Sequence, residues 1–297
     1  MSPRYHYKLT ISYDGTAYFG WQKTKTGPSI QESLQKAVKQ ITQEEILPEG
    51  ASRTDRGVHA IGQIASFDLG KPWEARSLQR ALNAALPLDI RVASVESAPF
   101  DFHPTLHAKE KEYRYGLCCS AVQDPIHRLY SWAFRYPLDI LKMEEAAQDL
   151  VGLHDFSAFA NRASDKMLVS AIINDASKEP ISLKNHRHKE SPSLTKNQAC
   201  EARALLKQRE IKIENPFCTL TKIEMLALPG NRLEIAMVGD RFLYKMARNI
   251  AGTLIYIGCG KLPKDRISKI LASKDRKLAG VTAPAHGLAL YRVTYLE

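Results

Sequence analysis

Apolar and polar side chains alternate near the start of the chain. Apolar residues occupy every second position from residue 5 to residue 11, namely Tyr5, Tyr7, Leu9 and Ile11. This period of two predicts a strand with one buried face, ended by the turn signal Tyr13-Asp14-Gly15-Thr16. Similar patterns and apolar runs predict further strands at 62–67, 90–95, 109–117, 168–174, 218–226, 233–238 and 288–295.

Apolar residues recur at helical spacing between these strands. Ser29-Ile30-Gln31-Glu32 has the spacing of a capping box and predicts a helix over 29–43. Leu78, Ala81, Leu82 and Ala85 form the apolar stripe of a second helix over 74–86, which Pro87 stops. A third helix opens at Pro137-Leu138-Asp139, carries Leu141, Ala146 or Ala147, and Leu150, and is closed by 152–156. Shorter helices are predicted at 197–209 and 265–273.

A helix over 241–257 combines an apolar stripe with a cationic side. The stripe contains Phe242, Leu243, Met246, Ile250, Leu254 and Ile257, and the opposite side contains Arg241, Tyr244, Lys245 and Arg248. An ordinary amphipathic surface helix has the same pattern. Gly252 in its interior favours the alternative, a helix against which another segment packs closely.

The order of these elements predicts an α+β protein with two halves. Residues 1–106 contain strand, helix, strand, helix and strand, and residues 107–297 contain similar elements. The polar segment 177–216, which contains three prolines, is interpreted as an insertion in the second half. No internal sequence repeat accompanies the similarity of the two halves.

Charge and composition indicate the class of partner. The 297 residues include 42 Lys and Arg against 32 Asp and Glu, a net charge of +10, which favours a polyanion, nucleic acid before membrane. The alternative is a basic protein without such a partner. Apolar runs are too short to span a bilayer. Five cysteines without a CxxC pair, and an N-terminus without an apolar signal core, predict a reducing, cytoplasmic location.

The segment 52–60 is the first candidate site. It places Asp55 among Arg53, Arg56 and His59, cations that favour an ionised carboxylate. A polar surface loop with an ion pair is the alternative. A metal site at His186-Arg187-His188 with Cys200 or Cys218 is not expected, because the spacing fits no common zinc motif.

Several sequence blocks, taken in order, resemble the tRNA pseudouridine synthase A family over nearly the whole chain outside 177–216. The N-terminal blocks are Tyr13-Asp14-Gly15-Thr16, Gly20-Trp21-Gln22, Arg53-Thr54-Asp55, Gly57-Val58-His59-Ala60 and Gly62-Gln63. The later blocks are Phe102-His103, Tyr113-Arg114-Tyr115, His154-Asp155-Phe156, Phe242-Leu243, Arg248-Asn249-Ile250, Ala283-Pro284-Ala285 and Gly287-Leu288.

The resemblance implies isomerisation of uridine to pseudouridine in tRNA, in the anticodon stem-loop around nucleotides 38 to 40. The bond from C1′ to N1 of uracil breaks, the base turns, and C1′ joins C5. Nothing enters or leaves, so neither a metal nor a small-molecule cofactor is expected. The fold implied is a continuous, mainly antiparallel sheet flanked by helices, with the catalytic cleft between the halves. The protein is expected to be a homodimer that binds tRNA across both subunits.

The family motif assigns the catalytic carboxylate to Asp55, and attack on carbon or removal of a sugar proton both stay open for it. Arg248 matches the arginine that pairs with this aspartate. Tyr113 matches the tyrosine that stacks on the everted uracil and takes part in proton transfer. Leu288 matches an apolar residue that lines the pocket.

Four further residues are predicted to bind the substrate: Arg53, Arg56, His59 and Lys245. The cations would contact RNA phosphates, whereas His59 is either a contact or a structural histidine. The chain departs from the family at Ser52, Arg56 and Ala247, where glycine, alanine and valine are usual. Arg56 is the departure most expected to change the target nucleotide.

Three other functions stay open. The chain is a tRNA-binding protein without catalysis, a pseudouridine synthase with a different target position, or a metal-dependent nuclease that uses Asp55. The nuclease is disfavoured because no second cluster of carboxylates accompanies Asp55.

Overall fold

A computed structural model of the protein describes residues 4–161 and 215–296. All elements below belong to the unit formed by residues 1–161 and 216–297. The predicted strand at 168–174, the predicted helix at 197–209, nearly all of the insertion, and the histidines at 186 and 188 lie outside the described residues.

The described strands form one ten-stranded sheet. They are β1 Tyr5–Tyr13, β2 Glu49–Gly50, β3 His59–Leu69, β4 Ile90–Ser97, β5 Ala108–Cys118, β6 Trp132–Ala133, β7 Gly152–Asp155, β8 Phe217–Leu228, β9 Arg232–Gly239 and β10 Leu288–Tyr295. Their order is β4-β1-β3-β10-β5-β9-β8-β7, with β2 beside β3 and β6 beside β5. The pairs β3/β10 and β5/β6 are parallel and the others are antiparallel.

Five α-helices of the described part accompany this sheet. They are α1 Ile30–Thr42, α2 Ala75–Ala85, α3 Ile140–Gln148, α4 Met246–Gly258 and α5 Arg266–Ser273. The predicted fold class is confirmed: α+β, with a large, mainly antiparallel sheet flanked by helices. The described strands of residues 1–106 occupy one end of the sheet, and those of residues 107–297 occupy the other. The two groups meet at the short parallel pairing of β3 with β10, which aligns Ala289 with His59 and Leu290 with Ala60.

Local sequence signals account for the first helices. The Ser29 hydroxyl accepts the amide hydrogen of Glu32 at the start of α1, as the capping box predicts. Leu34 and Val38 of this helix are buried, as are Leu78 and Leu82 of α2. The predicted strand over 288–295 has the bounds of β10.

The predicted start of the long helix was wrong. Lys245 has a left-handed backbone with φ of 61°, so α4 begins at Met246 and Arg241, Tyr244 and Lys245 lie in the preceding loop. Nearly all residues of α4 are buried, so it is not an amphipathic surface helix. The expected close packing at Gly252 is confirmed, because a Cβ there would collide with the Val281 carbonyl oxygen.

The third helix also differs from its prediction. Met143, Ala146 and Ala147 form its buried side, whereas Leu141 is 71% exposed. The segment predicted to close this helix contains strand β7, which pairs with β8. Within the described residues, no helix is long and apolar enough to cross a membrane.

Candidate active site

Residues 51–58 connect β2 to β3 and are called the Asp55 loop. The buried amide of Gln63 holds Ser52 on both sides, since its Nε2 donates to the Ser52 carbonyl at 2.7 Å and its Oε1 accepts the Ser52 amide hydrogen at 3.2 Å. Lys111 Nζ donates to the Ala51 carbonyl at 2.7 Å. The Tyr13 and Thr54 hydroxyls lie 2.8 Å apart. Buried polar side chains from β1, β3 and β5 therefore fix the conformation of the Asp55 loop.

Two glycines let the segment 15–21 pack against the Asp55 loop. A Cβ at Gly15 would collide with the Val58 carbonyl, and one at Gly20 would collide with the Thr54 carbonyl. Gly20 also has φ of 99°, a conformation that favours glycine. The amide of Trp21 donates to the Thr54 carbonyl at 3.1 Å. These contacts explain why glycines occur at both positions of the N-terminal blocks.

Arg248 on α4 pairs with the central carboxylate of the loop. Its Nη1 donates to Oδ2 of Asp55 at 2.9 Å, and its Nε donates to the Ala283 carbonyl at 2.8 Å. The backbone of Ala283 in turn donates to the Arg248 carbonyl at 3.1 Å. The Asp55 side chain is 18% exposed, so the carboxylate is held by the protein and still reaches solvent.

Tyr113 on β5 lies beside the same loop and is 5% exposed. Its hydroxyl oxygen is 2.7 Å from Oγ of Ser52. The ring packs edge-on against Phe242, with 4.9 Å between ring centroids. Burial raises the pKa of the Tyr113 phenol to about 12; the hydrogen bond to Ser52 opposes this rise, and the charge of Asp55 adds to it. The phenol is therefore protonated at neutral pH.

Leu288 begins β10 and is buried. It pairs with Tyr115 across the two strands, and the Tyr115 hydroxyl donates to the Pro284 carbonyl at 2.9 Å. A Cβ at Gly287 would lie 2.6 Å from the Tyr115 ring, so only glycine fits before Leu288 without a shift. The strand neighbours therefore fix the segment that carries both Ala283 and Leu288.

The structure brings together three residues that are far apart in sequence, namely Asp55, Tyr113 and Arg248. Asp55 lies in the loop before β3, Tyr113 on β5 and Arg248 on α4, so three elements that are distant in sequence contribute to the site. Within the described residues, the ion pair of Asp55 is with Arg248 and not with the flanking cations Arg53 and Arg56.

The predicted substrate-binding cations occupy the surroundings of this cluster. Arg53 and Arg56 are exposed, and the Arg56 guanidinium lies 4.2 Å above the Phe19 ring. Lys245 lies in the loop before α4, with its ammonium group 5.0 Å from the Tyr244 ring.

His59 is buried and already uses both ring nitrogens within the protein. Its Nδ1 accepts the Gly15 amide hydrogen at 3.0 Å, and Nε2 lies 3.2 Å from the His286 carbonyl. Its ring also packs against Tyr130, with 5.0 Å between centroids. His59 thereby links the turn after β1 to the segment before β10.

Four residues at the site were not assigned a role from the sequence: Ser52, Gln63, Lys111 and Phe242. Gln63 and Phe242 belong to the sequence blocks that resemble the family, and this membership was the only sequence feature that pointed to them. Lys111 lies two positions before Tyr113 in β5, so strand alternation places both on one face. In the described part of the chain, no group of three or more His, Cys, Asp or Glu residues is arranged to hold a metal ion.

Comparison with known proteins identifies relatives along nearly the full chain. A family model described as tRNA pseudouridine synthase matches residues 9–105 and 146–296. The tRNA pseudouridine synthase A 2 of Protochlamydia amoebophila is 43% identical over 289 residues, which cover 97% of this chain and 93% of that protein. The tRNA pseudouridine synthase A of Thermoanaerobacter sp. is 37% identical, covering 97% and 98%. That of Streptococcus equi is 36% identical, covering 98% and 99%.

Proposed function

The chain belongs to the tRNA pseudouridine synthase family, and we propose that it isomerises uridine in the anticodon stem-loop, at nucleotides 38 to 40, with Asp55 as the catalytic carboxylate. The observation that carries this proposal is the Asp55 carboxylate, fixed by Arg248 at 2.9 Å and still partly exposed. In this proposal one well-positioned carboxylate is sufficient for an isomerisation that adds no groups, and this arrangement supplies it.

Arg248 has two effects on Asp55. Its positive charge lies beside the carboxylate, with 2.9 Å between Nη1 and Oδ2, and its hydrogen bond sets the orientation of that group. Within the described residues, the hydrogen bond from Arg248 engages Oδ2. Oδ1 therefore acts on the sugar, either by attack on C1′ or by removal of a proton, and both routes are compatible with this geometry.

Tyr113 and Leu288 act on the base in this proposal. A uridine must leave the helix stack to reach Asp55, and an aromatic ring gives the everted base a surface on which to stack. Once C1′ has joined C5, C5 must lose its proton and N1 must gain one. The Tyr113 phenol, protonated at neutral pH, takes part in this transfer by releasing its own proton as it accepts the C5 proton, so the proton count of uracil is unchanged. Leu288, buried at the start of β10, forms an apolar wall that excludes water from the detached base.

Arg53, Arg56 and Lys245 hold the tRNA backbone in this proposal. Contacts from cations to phosphates position RNA without reading its sequence, and they weaken as salt increases. We assign His59 a structural role, which is supported by the contacts of its ring nitrogens with the Gly15 amide and the His286 carbonyl. We further propose a homodimer in which one tRNA contacts both subunits, which sedimentation of the protein with and without tRNA tests.

Pseudouridine mapping in cells tests the substrate. tRNA from cells with the gene, without it, and with the gene restored is treated to mark pseudouridines and sequenced. The proposal predicts that anticodon-arm pseudouridines disappear in the deletion and return on restoration. If the lost sites lie in another arm, the target assignment is wrong; if no tRNA site is lost, tRNA is not the substrate.

A further inference from the structure

We infer that Ser52 is a positioning residue for the reaction, which acts by fixing the hydroxyl group of Tyr113. The inference rests on the proposed function, because it gives Ser52 a role through the tyrosine of that site. The two hydroxyl oxygens lie 2.7 Å apart, a normal distance for a hydrogen bond between hydroxyls. Ser52 is three residues before Asp55, so the loop that carries the carboxylate also contacts the Tyr113 hydroxyl.

The backbone fixes the position of the Ser52 hydroxyl. Gln63 bonds the amide and the carbonyl of Ser52, and Lys111 bonds the carbonyl of Ala51. Gln63 and Lys111 are both buried, so water competes little for these bonds. A serine side chain has one heavy-atom torsion, and a fixed backbone therefore leaves Oγ few positions.

The rest of Tyr113 is fixed by other contacts. Its backbone pairs with Leu290 on β10 and Met237 on β9, and its ring contacts Phe242. The remaining freedom is rotation of the phenol hydroxyl. A buried hydroxyl without a partner is costly, and Ser52 provides the partner. The contact with Ser52 therefore restricts rotation of the Tyr113 hydroxyl group, whichever of the two hydroxyls donates.

This role is particular to a chain with serine at position 52. Glycine or alanine at this position would have no hydroxyl to contact Tyr113. The competing explanation is that the bond only joins the Asp55 loop to β5. Loss of a purely structural bond lowers the free energy of unfolding but leaves kcat unchanged under conditions where the variant is folded, whereas loss of a positioning bond lowers kcat through the Tyr113 hydroxyl.

A double-mutant cycle separates the two explanations. kcat and KM for pseudouridine formation are measured for wild type, Ser52→Ala, Tyr113→Phe and the double variant. Loss of one hydrogen bond predicts that Ser52→Ala lowers kcat by about threefold to tenfold with KM unchanged. In the Tyr113→Phe background the same change is expected to have no further effect. Ser52→Thr, which retains a hydroxyl, is expected to recover part of kcat.

Ser33→Ala is the matched control, because it removes another half-buried serine hydroxyl, one that bonds the Ser29 carbonyl within α1. Its kcat is expected to equal that of wild type. The inference is overturned if Ser52→Ala keeps the wild-type kcat, if it changes KM alone, or if it lowers kcat equally in both backgrounds.

A measurement without tRNA keeps the test independent of the proposed function. 3-Fluorotyrosine is placed at position 113, and its ¹⁹F resonance is titrated with pH. Removal of the Ser52 hydroxyl is expected to move this titration to higher pH, whereas Ser33→Ala leaves it in place. If wild type makes no pseudouridine but the titration moves, the proposed function fails and the link between the hydroxyls stands. An unchanged titration overturns the inference.

Discussion

Nη1 of Arg248 lies 2.9 Å from Oδ2 of Asp55, although 193 positions separate these residues in the sequence. The same guanidinium donates through Nε to the Ala283 carbonyl at 2.8 Å. One planar group therefore connects the Asp55 loop, α4 and the segment before β10. Its rigid geometry makes the position of the carboxylate depend on both contacts.

The two contacts of Arg248 predict that lysine cannot replace it. Lysine retains the charge, but its single ammonium group does not present two donors in the arginine geometry. Arg248→Lys is expected to lower kcat by about 30-fold or more, a loss of about 2 kcal/mol of transition-state stabilisation. Steady-state kinetics measures it. Arg232→Lys, at the start of β9, is the control and should keep the wild-type kcat. A wild-type kcat in Arg248→Lys would show that the two contacts of the guanidinium, to Asp55 and to the Ala283 carbonyl, are not needed for the reaction.

Gly20 provides a test of the packing beneath the Asp55 loop. Gly20→Ala introduces both a left-handed alanine and a collision with the Thr54 carbonyl. The free energy of unfolding is expected to fall by about 3 kcal/mol, with loss of activity, whereas Gly230→Ala should cost about 1 kcal/mol and remain active. Gly230 also has positive φ, 76°, but a Cβ there would have no neighbour within 4 Å. Urea unfolding of both variants checks this, and equal losses would show that the collision has no effect.

His286 predicts a loss of stability in acid. Burial lowers its pKa below the usual value, and the charges of His59 and Arg248 add to this, so folding favours the neutral ring. A lowered pKa contributes stability that is present above the ordinary pKa, about 6.5, and is lost as pH falls through the folded-state pKa. Urea unfolding between pH 7 and pH 5 should therefore show a smaller decline for His286→Gln than for wild type. Parallel declines would exclude His286 as a cause.

Arg56 tests the phosphate contacts. Its guanidinium is exposed above Phe19, and Arg56 directly follows Asp55 in sequence. Arg56→Ala is expected to weaken tRNA binding by about threefold to tenfold at moderate salt and to reduce the slope of log K against log salt by about one. Filter binding at several salt concentrations measures both. Arg56→Lys, which keeps the charge, should retain the slope; an unchanged slope in Arg56→Ala would show that Arg56 contacts no phosphate.

Most strands and helices could be predicted where one face is buried and a cap or turn marks the end. Ser29 capped α1, and the alternation at Tyr7, Leu9 and Ile11 marked β1. The start of α4 could not be predicted, because apolar spacing continues through Phe242 and Leu243 while Lys245 adopts a left-handed backbone. Periodicity carries no information about such an angle in a residue other than glycine. The burial of α4 on nearly all sides depends on tertiary packing.

The candidate site was less accessible to prediction than the fold. Asp55 was a candidate from its flanking cations alone. Its connection to Tyr113 and Arg248 came through the resemblance, since residue types did not link the three. The contact between Ser52 and Tyr113, and the clamps made by Gln63 and Lys111, have no local signal. A polar residue contributes to the alternation of a strand in the same way whether its side chain faces solvent or bonds a buried carbonyl, so alternation does not distinguish the two.

Replacement of Asp55 tests the central claim most directly. A tRNA is labelled at the uridines of its anticodon stem-loop, and their conversion to pseudouridine is measured for wild type, Asp55→Asn and Asp101→Asn. Asp101, an exposed aspartate between β4 and β5, is the control. The account predicts that Asp101→Asn has the wild-type rate. Asp55→Asn should bind tRNA within a few-fold of wild type but convert it at least about 1,000-fold more slowly. Conversion by Asp55→Asn at the wild-type rate would contradict the account.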